Sequence, residues 1–142
     1  TFWLIVSLNP IKSNKETIER WKVVMSKASA EHAGQVDKDG RRKIVSRTEI
    51  LPPNKICSES YLLIDVFQTK REAENLLSYI KTRFFRYLLS TILLTQNISK
   101  DKFQFVPLQD FSHPWTDEML YKKYGLDEKE IAFIESMIRP ME

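Results

Sequence analysis

The hydrophobic pattern is clearest between Tyr61 and Leu89. Residues 61–67 (YLLIDVF) form an apolar run interrupted only by Asp65, which predicts a strand buried on both faces. Thr69 and Glu72 follow at the spacing of a capping box, so a helix is expected to begin there. Apolar residues then recur every three or four positions, at Ala73, Leu76, Leu77, Ile80, Phe84, Tyr87 and Leu88. The segment therefore predicts a buried strand followed by a long amphipathic helix.

Weaker patterns on both sides predict the remaining elements. Strands are expected at 2–8, 21–27, 44–51 and 103–106, and one or two helical turns at 14–20. The Asp39-Gly40 pair is a turn signal between two of these strands and predicts a hairpin tip. Near the C-terminus, Thr116 is expected to cap a helix that Gly125 ends, and Asp127 with Glu130 to cap a second one. These elements predict an α+β fold, in which a small mixed or antiparallel sheet packs on the long amphipathic helix and is followed by a short helical C-terminal appendix.

Charge divides the chain into two parts of one compact unit. The 142 residues suit a single domain, with a net charge of +3. Residues 1–108 contain 18 Lys or Arg and 11 Asp or Glu, whereas residues 109–142 contain 4 and 8, so that charges of +7 and −4 make up the total. We therefore expect a basic core at 1–108 and an acidic appendix at 109–142. Because the chain opens on an apolar strand pattern without an initiator Met, we also expect it to be a piece of a longer protein.

Several classes of site lack the residues that they need. Glycine occurs only at 34, 40 and 125, so no glycine-rich loop can cradle a phosphate or a nucleoside, and no cofactor is expected in this chain. His32 and His113 have no partners at ligand spacing, so no metal is expected. The single Cys57 forms no internal disulfide and fits a cytoplasmic protein, and no apolar run reaches the length of a membrane span. Catalysis by this chain alone is therefore not expected.

Two groups of cations are the candidate contacts for a polyanion. The first group lies on and beside the predicted hairpin tip and on the strand before it: Lys38, Arg41, Arg42, Lys43, Arg47, Lys22 and Lys27. A protruding basic hairpin can follow phosphates or enter a groove, where arginine contacts guanine edges. The second group flanks the apolar stripe of the helix: Lys81, Arg83 and Arg86. The alternative for both groups is an ordinary solvated charged surface.

Two motifs allow a catalytic interpretation, and each has a simpler alternative. Asn9-Pro10 follows a predicted strand, as the Asn-Pro-Pro-aromatic run of amino-methyltransferases does, but Ile11 and Lys12 replace the second proline and the aromatic residue. A turn that ends the strand is the simpler explanation. A magnesium-dependent nuclease would need Asp65 with Glu72 or Glu74 and then Lys81, and this spacing departs from that of a restriction nuclease.

Three stretches together resemble the C-terminal region of bacterial restriction-modification proteins of the type II-like methylase family. They are WKVVMSKAS (21–29), ICSESYLLIDVF with YIKTRFFRYLLS (56–67 and 79–90), and FVPLQDFSHPWTDEMLYKKYGLDEKEIAFIESMIRPM (105–141). In such proteins an adenine-specific DNA methyltransferase domain precedes a target-recognition domain. The resemblance covers roughly residues 20–142, and the last stretch is its most specific part.

The resemblance implies a bacterial, cytoplasmic, sequence-specific DNA-binding domain that positions the catalytic domain for adenine methylation. Double-stranded DNA and the upstream methyltransferase domain of the same polypeptide would be its partners, and S-adenosylmethionine would bind to that upstream domain. It supplies no residue-level motif for base contacts, so the candidate residues rest on charge and position. The alternative is a docking module of the same system that makes no DNA contact.

Overall fold

The computed structural model of the chain describes residues 17–26, 36–45, 47–58, 60–92 and 106–141. Its strands are β1 (Trp21–Ser26), β2 (Thr48–Leu51) and β3 (Tyr61–Phe67). Its helices are α1 (Lys70–Lys81), α2 (Arg83–Ile92), α3 (Asp117–Lys123) and α4 (Glu128–Met137). The fold is α+β, as the sequence predicts. The predicted strand at 2–8, residues 14–16 of the predicted helix at 14–20, and residues 103–105 lie outside the described residues.

The strands form an antiparallel sheet in the order β2-β1-β3. The predicted strand at 44–51 starts only at Thr48, because Ile44 has a φ of 65°, which is incompatible with an extended strand. β3 has one buried face instead of the two predicted: Leu62 and Ile64 are buried, whereas the residues between and after them are half-buried. The alternation is that of an antiparallel strand which packs against a helix on one side.

The amphipathic segment is two helices that meet at Thr82, and not the single long helix that its periodicity predicts. The side chain of Thr69 accepts a hydrogen bond from the N–H of Glu72 and begins α1 as expected. Thr82 has extended backbone angles and ends α1, while its hydroxyl accepts a hydrogen bond from the N–H of Phe85 in the first turn of α2. Asp117, from α3, accepts hydrogen bonds from two further N–H groups of that turn, at 3.1 and 2.9 Å. These acceptors satisfy the donors that a new helix leaves free, and they stabilise the break.

The C-terminal helices belong to the same hydrophobic core as the sheet. Leu120, Ile134 and Ile138 are buried in one cluster with the inner residues of β1, β3 and α1. The predicted caps are confirmed: Thr116 begins α3, and Asp127 with Glu130 forms a reciprocal capping box on α4. Gly125 has the left-handed φ of 64° expected after α3. Among the described helices, none has the length and apolar character required to cross a membrane.

Candidate nucleic-acid interface

The predicted hairpin tip is a tight turn within residues 36–45, which we call the basic turn. Val36 and Arg42 form an isolated antiparallel bridge across it, and Gly40 has a φ of 80°. A carboxylate oxygen of Asp37 accepts hydrogen bonds from the N–H groups of Asp39 and Arg41, at 2.8 and 2.9 Å. Asp residues favour turns for this reason, because the side chain takes the place of a backbone acceptor. The structure therefore contains the turn, and among the described residues one bridge, Val36 to Arg42, spans it.

A second, strained turn follows directly at Lys43, Ile44 and Val45. The N–H of Val45 donates to the carbonyl of Lys43 at 2.7 Å, and Ile44 between them has a φ of 65°. A positive φ at the central residue indicates a γ-turn of the classic type, which is rarer than the inverse type. A β-branched residue such as Ile44 adopts this conformation only when the surrounding structure restrains it. Both Ile44 and Val45 are buried in the core, which supplies that restraint. The basic turn is thus anchored at its base.

The C-terminal segment adds one cation to this surface that sequence reasoning missed. The N–H of Arg42 donates to the carbonyl of Met137, and the N–H of Arg139 donates to the carbonyl of Arg42. This parallel bridge places Arg139 beside Arg42, nearly one hundred positions away in sequence. Arg139 is exposed. Only the preceding Ile138, which is apolar and buried, could have signalled that this segment returns to the core.

The cations of the surface differ in how they are paired. Arg41 is half-buried and contacts both carboxylates of the turn, at 3.9 Å from Asp37 and 3.3 Å from Asp39. The pKa of Asp37 is lowered, chiefly by the hydrogen bond from the N–H of Arg41. Arg47 is exposed and lies 3.7 Å from Glu49, and a solvent-exposed ion pair of this kind contributes little to stability. Apart from Arg41, which both carboxylates of the turn neutralise, the exposed or half-buried cations on and beside the turn are Lys38, Arg42, Lys43, Arg47 and Arg139.

Lys22, predicted to contact DNA, is a structural residue instead. It is 2% exposed, and its ammonium group lies within 3.3 Å of four backbone carbonyls. Those carbonyls belong to Thr17, Ile18, Arg20 and Pro52. Burial lowers the pKa of Lys22. The ammonium connects the residues before β1 to the end of β2, so it is not available to a ligand.

Arg86 is also buried, which overturns its assignment to a basic flank of the helix. Its Nε donates to the carbonyls of Lys81 and Thr82, both at 3.1 Å. Its Nη1 donates to the carbonyls of Lys43 and Arg139, at 3.3 and 2.8 Å. Burial lowers the pKa of the guanidinium to about 10, and Asp117 opposes that effect. One side chain therefore joins the α1–α2 junction to the basic turn and to the C-terminal segment.

The other candidate cations fall in three places. Arg83 is 21% exposed and lies 3.2 Å from Glu135 of α4, so a carboxylate of the protein itself neutralises its charge. Lys81 is half-buried at the end of α1. Lys27 lies outside the described residues. Of the first group, Lys38, Arg41, Arg42 and Lys43 therefore lie on the basic turn and Arg47 lies two positions after it, whereas Arg83 and Arg86 of the helical group are engaged in contacts within the protein.

The nuclease candidate gains no metal site from the described residues. Asp65 is half-buried on β3, and burial raises the pKa of its carboxyl to about 6. Glu72 is bound to the hydroxyl of Thr69, and Glu74 lies 3.7 Å from Lys70. Within the described ranges, no three His, Cys, Asp or Glu side chains are grouped so that they could hold a metal ion.

Comparison with known proteins assigns no relative to the chain. No family model, no curated protein and no solved structure matches it.

Proposed function

We propose that this chain is a sequence-specific DNA-binding domain, the target-recognition part of an adenine-specific DNA methyltransferase of a restriction-modification system. The observation that carries the proposal is a set of cations on and beside one anchored turn: Lys38, Arg42 and Lys43 lie on the turn, the backbone bridge brings Arg139 beside Arg42, and Arg47 lies two positions after the turn. Lysine and arginine at such a turn can neutralise phosphates, and an arginine that enters the major groove can donate two hydrogen bonds to guanine.

The anchoring of the turn supports this use. Base contacts require side chains that start from a fixed backbone, and here Asp37, the bridge to Ile138 and the γ-turn at Ile44 restrain the main chain on both sides of Arg42. A strained γ-turn beside the cations is also consistent with a functional surface, since such conformations concentrate at binding sites. By contrast, the buried Lys22 and Arg86 stabilise the scaffold beneath.

The resemblance of residues 20–142 to restriction-modification methylases supplies the biological context. The upstream domain of the longer polypeptide would bind S-adenosylmethionine and methylate adenine, and this chain would place it on its site. The acidic residues of α3 and α4 would face that domain and not DNA. Arg139 is the exception in the appendix, because its backbone is paired with the basic turn.

Fluorescence anisotropy with a 30-base-pair duplex of mixed sequence tests the proposal. We expect a Kd of about 1–100 µM near physiological salt and a linear fall of log K with log salt concentration. The double variant Arg42→Ala/Arg139→Ala should weaken binding and lower the slope by about 1–2, because each lost phosphate contact contributes about 0.9. Selection from random duplexes should enrich a sequence motif with the wild-type chain, and Arg42→Ala should relax it.

A matched control is Lys55→Ala, which removes an exposed cation beyond the far end of β2 from Arg47. The strand separates the two by about 13 Å, so this variant should bind as the wild type does. Equal loss in the control and in the double variant would show a diffuse charge effect and refute the assignment to the basic turn. Absence of any salt-dependent binding would refute the proposed function itself.

A second candidate function is a docking module of the same system that makes no DNA contact. It is favoured by an open apolar groove between α2 and α4, with a volume of about 430 Å³. A chain that fails to bind any duplex at low salt, yet co-elutes with the methyltransferase domain of the same system in size-exclusion chromatography, would support the docking function.

A further inference from the structure

The groove between α2 and α4 has an apolar floor and an aromatic side chain that projects at its edge. Phe84, Leu88, Leu126 and Ile134 form much of the lining. Phe133 lies at the edge and is 53% exposed, which is unusual for a phenylalanine on a charged helix. Its ring packs edge-on against Tyr87, with the centroids 5.9 Å apart and the planes at 86°. That contact holds the projecting ring at the mouth of the groove.

We infer that this face is the interface of a twofold homodimer, in which Phe133 of each copy enters the groove of the other. An interface between identical copies related by a twofold axis uses the same patch on both, so the patch must contain a projection and a matching depression. The α2–α4 face contains both, within a single turn of α4.

The charges at the rim are also self-complementary. Lys129 lies one helical turn before Phe133 on the same face of α4, and Glu130 is next to it. When two copies of α4 lie antiparallel, with the axis midway between positions 129 and 130, each Lys129 faces Glu130 of the other copy, and each Phe133 faces Leu126 in the other groove. Opposite charges that meet across an interface favour this register. A parallel arrangement would instead place like charges against each other.

The charge of Glu135 is already neutralised, which favours a second copy of the chain as the partner at this face. Its carboxylate pairs with Arg83 of α2 at 3.2 Å and does not line the groove, so it adds little repulsion between two copies of α4. The dimer rests on no part of the proposed DNA-binding function, since the residues of the basic turn do not line the groove.

Sedimentation velocity of the whole chain, from about 5 to about 500 µM, tests the inference. A groove of this size is a small interface, so we expect a reversible dimer with a Kd of about 1–100 µM. Phe133→Asp should leave the chain monomeric over the range, and Lys129→Glu should raise the Kd by about tenfold. Both positions are exposed, so the far-UV circular dichroism and the melting temperature at low concentration should match those of the wild type.

Met119→Asp is the control, because Met119 is 39% exposed on α3 and does not line the groove. It should dimerise as the wild type does, and so should Arg42→Ala/Arg139→Ala, which separates this test from that of DNA binding. A wild-type chain that stays monomeric up to the highest concentration would overturn the inference. So would a dimer that persists in Phe133→Asp.

Discussion

Replacement of Arg86 by methionine would test whether one buried guanidinium holds the basic turn to the helices. Methionine keeps much of the length of the side chain but removes all four hydrogen bonds to the carbonyls of Lys81, Thr82, Lys43 and Arg139. Nε has a single N–H, which the carbonyls of Lys81 and Thr82 share, so three N–H groups make these contacts. At about 1.5–3 kcal/mol for each hydrogen bond to a charged group, they amount to about 4.5–9 kcal/mol. Because their carbonyl acceptors come from three separate segments, no local rearrangement can replace them.

Burial of the guanidinium opposes this gain. The fall in the pKa of Arg86 from 12.5 to about 10 corresponds to about 3 kcal/mol against the charged form. We therefore expect Arg86→Met to lower the free energy of unfolding by about 3 kcal/mol. For a chain of this length that is a decrease of about 10 °C in melting temperature.

Urea denaturation measures the loss, and hydrogen exchange locates it. The amides of Arg42 and Arg139, which bond the basic turn to the C-terminal segment, should exchange faster relative to those of β1. Arg86→Lys should fall between the wild type and Arg86→Met, since one ammonium cannot reach acceptors in both directions. Arg71→Met, on the exposed face of α1, is the control and should change stability by less than about 0.5 kcal/mol. A loss below about 1 kcal/mol in Arg86→Met would refute the reasoning.

Three smaller changes test other parts of the scaffold. Asp117→Ala removes the cap on the first turn of α2 and should cost about 1–2 kcal/mol in urea denaturation, whereas Glu118→Ala, on the same turn of α3 but exposed, should cost little. Asp65→Asn should stabilise the chain at pH 7.5 by up to about 3 kcal/mol, because the pKa raised from 3.8 to about 6 means that the folded state favours the protonated carboxyl. For the same reason the free energy of unfolding of the wild type should decrease as the pH rises from about 4 to about 6. An Asp65→Asn variant whose free energy of unfolding depends on pH in the same way would contradict this. Gly125→Ala should lower the free energy of unfolding by about 1 kcal/mol. The loss comes from the left-handed φ of 64° alone, since the added Cβ meets nothing within 4 Å, and an unchanged melting temperature would contradict this.

Local rules predicted much of the secondary structure because the signals lie within a few residues of one another. The caps at Thr69, Thr116 and Asp127 are short-range hydrogen bonds, and they are present where the spacing predicts them. The turn at Asp39-Gly40 has the same origin. The α+β class follows from these elements and from the alternation of apolar residues.

The break at Thr82 shows where the local rules end. The apolar period continues through it without interruption, so the sequence predicts one helix. The hydroxyl of Thr82 stabilises the break locally, but two further N–H groups of the second helix are capped by the carboxylate of Asp117, thirty-four positions after Arg83. A cap supplied from another element has no local sequence signature.

Whether each cation is buried or exposed also depends on the tertiary structure. The positive charge of Lys22, Arg42 and Arg86 makes all three candidate DNA contacts in the sequence, yet only Arg42 is exposed. Lys22 and Arg86 are buried because clusters of backbone carbonyls from separate segments converge on them and compensate for lost hydration. Arg139 joins the basic turn only through a backbone bridge. Most of the elements, their caps and the basic character of the turn can be predicted from the sequence, because they depend on neighbouring residues. The break at Thr82 and the exposure of each cation depend on contacts between distant segments, so they are visible only in the folded chain.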